Sequence, residues 1–600
     1  MTDSLKWDLE KILEGSTIEG LKEEYFRQNQ EISDLYDLDI FTDKEKLIKF
    51  HKLSLRNTIT SNRLFNYLSN KHNEDLSNNE WFNLMQEIQM KSIPFIQKLS
   101  DFSDRVIKNK EKILEFLQDP NLSEHRKSYE DIFRYEKHEL PPIIKKFLAT
   151  YSPLASSFNS VFTLLIDKEM RVKPAKDSTG KSHIISNYSE FIKTQTDPDR
   201  ILRKNAYINW YEAINNSRES LARLLYYNFL ELNIDAQNRN FSEGYYEASV
   251  FSDELPVSFV PKIYNQVEKF KKHWKAYSKI QKQLLKKEYS LKGLKPWDMR
   301  MPVLKKDNSS ISIEEAKTLA QESLKILGEE YSKNLFLALS GGWIDWEVRK
   351  NKLSGAYCIG GCYGLENKYI LLNYNHKIDD VYTLVHELGH AMHAVEFCKH
   401  QTYYASSSIF LAEIPSTLNE LLLSFYLLDK YKKDPKKKLE IYDNLISNFF
   451  GTTISQIIFS EWEYDVNKII LKGGVLDADL GEKIFVEKQE KFYGKKKKIS
   501  PLKKKSLTSI FTVPHFYSGE FYVYKYAIGQ VVSLLIADSI QKDPRYIDKY
   551  FKFLRVGCSL SNLEAIRLLE IDLESDRGWK RVGNIVSNWI SEYSLLANSI

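Results

Sequence analysis

Apolar residues recur at three- and four-residue intervals along most of this 600-residue chain, so helix is the dominant reading of its pattern. Leu5, Leu9 and Ile12 predict a helix in the opening segment. Ser312 and Glu315 form a capping-box pair ahead of the run Ala316 to Leu327, and Gly328 supplies a stop. β-like sequence is scarce. Tyr369 to Tyr374 is a short apolar run that suits a strand, and just before it the stretch Gly355 to Gly364 holds four glycines, predicting a hairpin or a loop approached closely by other backbone. No fixed-period repeat is visible. Proline-containing breaks fall at Pro141-Pro142, Pro174, Pro198, Pro296 and Pro302, and a turn at Asp177 to Ser182 is the best candidate boundary. The chain is therefore divided into an N-terminal helical region, 1–185, and a larger C-terminal unit, 186–600.

Composition narrows the class. Twenty-three glycines and 16 prolines are too few for turn-dense β-sandwiches or low-complexity disorder. The 86 basic and 81 acidic residues leave +5, an evenly charged surface that does not predict nucleic-acid binding. The lysine run Lys495 to Lys498, continued at Lys503 to Lys505, reads as a solvated loop. Four cysteines fit a reducing compartment. Acidic residues interrupt the opening segment, so no signal peptide is predicted, and apolar stretches such as Val531 to Ala537 are too short to span a bilayer. The expectation is a cytoplasmic protein with no membrane association and no obligatory protein partner.

The chemistry concentrates in one helix, predicted from Asp379 to Phe397 and carrying H-E-x-x-H. At about 100° per residue, His386 and His390 fall within ~40° of one face, where two imidazoles can share a metal ion at ~2.0–2.1 Å. Glu387 points about 100° away, out of bonding reach but able to take a proton from a water at the metal. With 12 histidines, a random chain of this length gives roughly 0.02 such matches, so accident is a poor explanation. A metzincin would place glycine and histidine where His393 and Glu396 stand, so that reading fails. Acidic candidates for a third ligand are Glu396, Glu413 and Glu420. Glu396 would have to fold back along its own helix, whereas Glu413 lies on a separate segment that can approach from the open side. His393 reads as a supporting or packing residue.

Glu413, 23 residues after His390 within Phe410 to Glu420, joins HELGHAMH in a set of stretches that resembles the thimet-oligopeptidase-like (M3) zinc metallopeptidases, most closely their oligoendopeptidase F branch. Trp7-Asp8-Leu9, Ser354 to Tyr357 with Ile370 to Asn373, Gln456 to Glu463, Pro514 to Tyr517, Phe521 to Ala527 and the Gly557 to Asp572 tail follow in the family's order, so the resemblance covers essentially the whole length. Cys558 stands where glycine is usual.

The resemblance implies a mainly α, two-lobed zincin-type fold enclosing a deep channel, with a small β-sheet beside the metal. It assigns one Zn2+ per chain to His386, His390 and Glu413, the general base to Glu387, and a supporting carboxylate to Glu420. It places transition-state donors at His515, Tyr517 and Tyr524, with Tyr522 and Tyr526 as neighbours. Gly355, Ala356 and Tyr357 correspond to an edge strand that pairs with substrate backbone. Cys358 and Cys362 flank that strand and read as two reduced residues in preference to a C-x3-C metal or redox pair. The expected function is zinc-dependent hydrolysis of internal bonds in short oligopeptides. A carboxypeptidase-type exopeptidase and a non-catalytic peptide-binding protein are the alternatives.

Overall fold

The computed structural model describes residues 5–145, 147–148, 157–305, 310–494 and 504–600. Most of the lysine run therefore lies outside the described residues. The chain forms two compact units, each assembled from three segments: Met1–Lys137, Ser309–Tyr426 and Ile536–Ile571 in the first, His138–Asn308, Leu427–Leu535 and Asp572–Ile600 in the second. Residue 185 falls inside the second unit, so a division of the sequence there does not mark a spatial boundary.

Helices α1 (Ile18–Tyr36), α2 (Lys44–Glu74) and α3 (Glu80–Lys98) open the first unit, with Thr17 and Asp43 capping the first two. The opening segment differs from its sequence pattern: only a short 3-10 turn, Leu9–Leu13, forms. The backbone around it is taken by strand-like bonds, Asp8 N–H to the Gly342 carbonyl at 2.7 Å and Trp346 N–H to the Leu5 carbonyl at 3.0 Å. Leu9 and Ile12 are nonetheless buried, in a core shared with Trp7, Leu64, Leu68, Tyr369, Leu371 and Phe397. Trp7 also donates to Glu74, at 2.7 Å.

Helices α4 (Ile313–Leu324) and α5 (Glu329–Ser340) follow. The Ser312–Glu315 capping box forms as predicted, and Gly328 at φ +92° makes the turn between them. A three-stranded sheet comes next, β1 (Ile344–Glu347), β2 (Tyr357–Cys358) and β3 (Ile370–Tyr374), in the order β1-β3-β2. The apolar run read as a strand is its centre: β1 is parallel to it, with Ile344 opposite Ile370, and β2 is antiparallel, with Tyr357 opposite Leu371. A central strand covered on both faces needs a continuous apolar sequence, which Ile370, Leu371 and Leu372 provide. Helices α6 (Ile378–His400), α7 (Ile409–Lys430) and α8 (Ile547–Arg555) complete the part of the unit that holds the site.

Among its described residues the second unit is helical apart from the hairpin Ala175–Lys176 and Ser182–His183, whose turn is the one predicted at Asp177 to Ser182. Its helices include Lys271–Glu288, Pro435–Phe450 and Asp576–Ser599, joined where Tyr277 and Tyr593 both donate to Asp443, at 2.8 and 2.7 Å. Among the described residues no helix is long and apolar enough to cross a membrane.

Candidate metal centre and active site

Two helices build the centre. Asp380 fixes the start of α6 by accepting from the N–H groups of Lys377 and Asn375, at 2.8 and 2.9 Å, which also places an acid at the positive end of the helix dipole. From there α6 and α7 cross antiparallel, with contacts one helical turn apart. Tyr382 Oη meets Ser424 Oγ at 2.9 Å, the His386 ring meets Glu420, and Gly389 meets Ser416. At the last point the backbones touch. A Cβ on Gly389 would stand 2.5 Å from Ser416 Cα and 2.7 Å from the Pro415 carbonyl oxygen. Pro415 lies inside α7, six residues after its start.

This close crossing brings the sequence-predicted ligands together. Glu413 Oε2 lies 3.3 Å from His386 Nε2 and 3.7 Å from His390 Nε2, and one donor atom from each residue fits within 4.8 Å of the others. His386 Nδ1–H donates to Glu420 Oε1 at 2.6 Å, which turns Nε2 into the cluster. Ser416 Oγ–H donates to Glu413 Oε2 at 3.1 Å, and the Ala412 backbone hydrogen-bonds the His390 ring. The three side chains keep 27, 24 and 28 % of their surface exposed, so the cluster has an open side. Two imidazole nitrogens and one carboxylate with a vacant position are the donor set of a catalytic zinc site, and these residues fit that ion.

The charges agree. Burial disfavours a charged His386, but Glu413 and Glu420 outweigh it and raise its proton affinity to about 10. Burial, with His386 adding, lowers His390 to about 4, so its lone pair is available. Glu413 stays ionised despite burial, because His386 and His390 hold it down. The site attracts a cation. Glu387, buried beside it, is pushed up to about 7 by burial and by Glu413, against the opposing pull of His386 and the Cys358 N–H.

That N–H belongs to the sheet edge. Ile359 N–H donates to the Tyr369 carbonyl at 3.0 Å and the Gly355 carbonyl accepts from Asn373 at 2.8 Å, so residues 355, 357 and 359 direct their backbone inward. Alternation leaves Ala356 and Cys358 facing outward. Of the predicted strand residues, Gly355 and Tyr357 therefore support the edge and Ala356 presents it. The Tyr357 hydroxyl donates to Asn70 and accepts from Asn73, both at 2.8 Å, which ties the edge to α2.

The remaining candidates separate. Glu396 is buried against Arg555, whose Nε donates to it at 2.8 Å, so it is no metal ligand. His393 stacks on Phe553 and is driven to about 3 by burial, a packing residue. In the second unit, Tyr517 and Tyr524 depart from the expectation of accessible donors. The Tyr517 hydroxyl donates to the carbonyls of Phe511 and Leu221, at 2.9 and 3.3 Å, and Tyr524 donates to Asp253 at 2.8 Å. Both rings are buried. His515 stacks on Tyr522 with centroids 5.3 Å apart, and its Nε2 lies 3.2 Å from the Tyr526 hydroxyl; all three are half-buried.

Sequence reasoning passed over Gly389, Ser416 and Asn419. Asn419 is fully buried, donates to the Val385 carbonyl at 2.9 Å and accepts from Tyr331 at 3.0 Å, fixing α7 against the turn that carries His386. Only Gly389 left a signal, since a glycine inside a long helix usually marks close packing.

Comparison with known proteins gives the family. The model of peptidase family M3 matches residues 194–584, and that of oligopeptidase F matches 109–171. The oligoendopeptidase F homolog of Mycoplasma genitalium is 33 % identical over 598 residues, 98 % of each chain. A putative peptidase from Chlamydophila abortus superimposes with a TM-score of 0.85 at 26 % identity, covering 99 % of both chains. Oligoendopeptidase-F from Enterococcus faecium, at 21 % identity and a TM-score of 0.73 over 96 % of this chain and 99 % of its own, shares the fold. The chain belongs to peptidase family M3, in its oligoendopeptidase F branch, and is a metallopeptidase.

Proposed function

We propose that the chain is a cytoplasmic, zinc-dependent endopeptidase that cleaves internal bonds of short unstructured oligopeptides. The observation that carries this reading is the convergence of His386, His390 and Glu413 within 4.8 Å, with Glu387 beside them. One zinc ion held by those three residues supplies Lewis acidity toward the scissile carbonyl and a water molecule. Glu387 takes the proton of the attacking water and returns it to the leaving amine. Its raised proton affinity suits both directions of that transfer. Glu420 orients His386 through Nδ1.

Ala356, with the Cys358 carbonyl, offers outward backbone groups to which an extended peptide adds as a further strand, so affinity rests on main chain more than on side-chain identity. Tyr517 and Tyr524 are not assigned as donors for an oxyanion, because their hydroxyls are committed to Phe511, Leu221 and Asp253.

The test is Glu387→Gln. The variant should bind zinc as the parent does and cleave a quenched oligopeptide about 10²–10⁴-fold more slowly. Equal rates would overturn the mechanism.

A further inference from the structure

We propose that Cys362 and Cys398 form a redox-modification site, closing a disulfide that fastens the glycine-rich loop behind the edge strand to the helix carrying His386, Glu387 and His390. Their Sγ atoms stand 3.9 Å apart, and all four cysteines of the chain are free thiols. A disulfide needs about 2.05 Å, so the two sulfurs must approach by roughly 1.9 Å. The loop can supply that travel. Cys362 lies between Gly361 at φ +55° and Gly364 at φ +83°, and Gly360 has no heavy atom within 4 Å of its Cβ direction. Cys398 sits near the C-terminal end of α6 and is half-buried, which gives the pair access to solvent, whereas Cys362 is buried.

The surroundings favour reaction at this pair. The buried Lys368 ammonium donates to the carbonyls of Cys362, at 3.1 Å, and Leu365. The Cys398 hydrogen bond and this positive charge draw the Cys362 thiol down against the effect of burial, while the same contact pushes Cys398 up, which marks Cys362 as the sulfur that reacts first. Cys358, by contrast, is pushed well above the usual thiol range by burial. The pairing also differs from the spacing in sequence: the C-x3-C partner of Cys362 is Cys358, but its spatial partner is on α6.

The oxidant is hydrogen peroxide. The Cys362 thiolate attacks one peroxide oxygen, the O–O bond breaks, and a sulfenic acid forms with release of water. Cys398 sulfur then attacks the sulfenic sulfur and expels the second water. Two thiols lose two electrons and two protons, and the peroxide is reduced to two waters. In the reduced state the loop is held to α2 by Asn62, which donates to the Tyr363 carbonyl at 3.0 Å, and Asn66, which donates to the Gly361 carbonyl at 3.1 Å. Drawing Cys362 toward α6 pulls on those bonds and on β2, four residues upstream. Reduced peptide capture is the consequence, and it rests on the function proposed above; the cross-link itself does not.

The experiment treats the zinc-loaded full chain with hydrogen peroxide, digests it without reduction and maps the peptides by mass spectrometry. A Cys362–Cys398 linked pair should appear about 2 Da lighter than its two thiol peptides combined, and should vanish with dithiothreitol and in Cys398→Ser. Oligopeptide cleavage should fall at least about fivefold on oxidation, recover with dithiothreitol, and survive peroxide in Cys398→Ser. Oxidation that stops at sulfinic acid, or joins another pair, overturns the site. A mapped link with unchanged cleavage overturns the effect on capture. A protein that cleaves no peptide before oxidation contradicts the proposed function, while the map still decides the cross-link.

Discussion

Replacing Gly389 by alanine tests whether the metal site depends on the closeness of two helix backbones. The new Cβ would stand 2.5 Å from Ser416 Cα, 2.7 Å from Ser416 N and 2.7 Å from the Pro415 carbonyl, where ordinary contact begins near 3.4 Å. The obstructing atoms are backbone, so no side chain can swing aside and α6 and α7 must part by nearly 1 Å. Overpacking of this kind costs about 1–3 kcal/mol, while alanine in a helix returns at most about 1 kcal/mol relative to glycine. Net destabilisation follows. The larger effect falls on the metal, because zinc tolerates only about 0.2 Å in ligand distances and the His386–Glu420 bond of 2.6 Å spans the same crossing. Zinc affinity should fall by about 10–100-fold or more, measured by competition with a chromophoric chelator, and the melting temperature should drop. An alanine variant with the parent's zinc affinity and an unchanged or higher melting temperature would refute the reasoning.

Glu420→Gln keeps an acceptor for His386 Nδ1 but removes its charge, and should weaken zinc binding by about tenfold in the same competition assay. Glu387 must be ionised to accept a proton, so kcat/KM should rise with pH along an acid limb. Burial raises this carboxyl from 4.5 to about 7 and a bound cation pulls it back, so the limb should lie between those values and disappear in Glu387→Gln. The same shift has a stability sign: a carboxyl raised in the folded state favours folding at low pH and loses that advantage as pH rises through about 7. Metal-free Glu387→Gln should therefore melt above the parent at pH 8, with the gap closing toward pH 4.5. Peptides with amidated and free C-termini should be cut at equal rates, whereas an exopeptidase would spare the amidated ones.

Local signals were the legible ones. The H-E-x-x-H spacing placed His386, Glu387 and His390 because a single helix fixes their relations, and the Ser312–Glu315 box located α4 for the same reason. The apolar run at Ile370 marked a strand, yet nothing in it revealed a parallel neighbour at Ile344. Where a tertiary contact decides, periodicity misleads. Leu5, Leu9 and Ile12 have helical spacing but lie in a segment whose backbone bonds to Gly342 and Trp346. The tyrosines show a similar limit: four of them in one stretch share a chemistry, and only the partners of Tyr517 and Tyr524 reveal which hydroxyls are engaged inside the fold. Asn419 and Ser416 carried no signal, being polar residues whose burial is visible only once α6 and α7 cross.

The central claim is that His386, His390 and Glu413 together hold one zinc ion. Elemental analysis of the purified protein, beside His386→Ala, His390→Ala and Glu413→Ala, tests it most directly. The account predicts one zinc per chain in the parent and substoichiometric zinc in each variant after dialysis. A metal-free native parent, or full zinc occupancy in the variants, would contradict it.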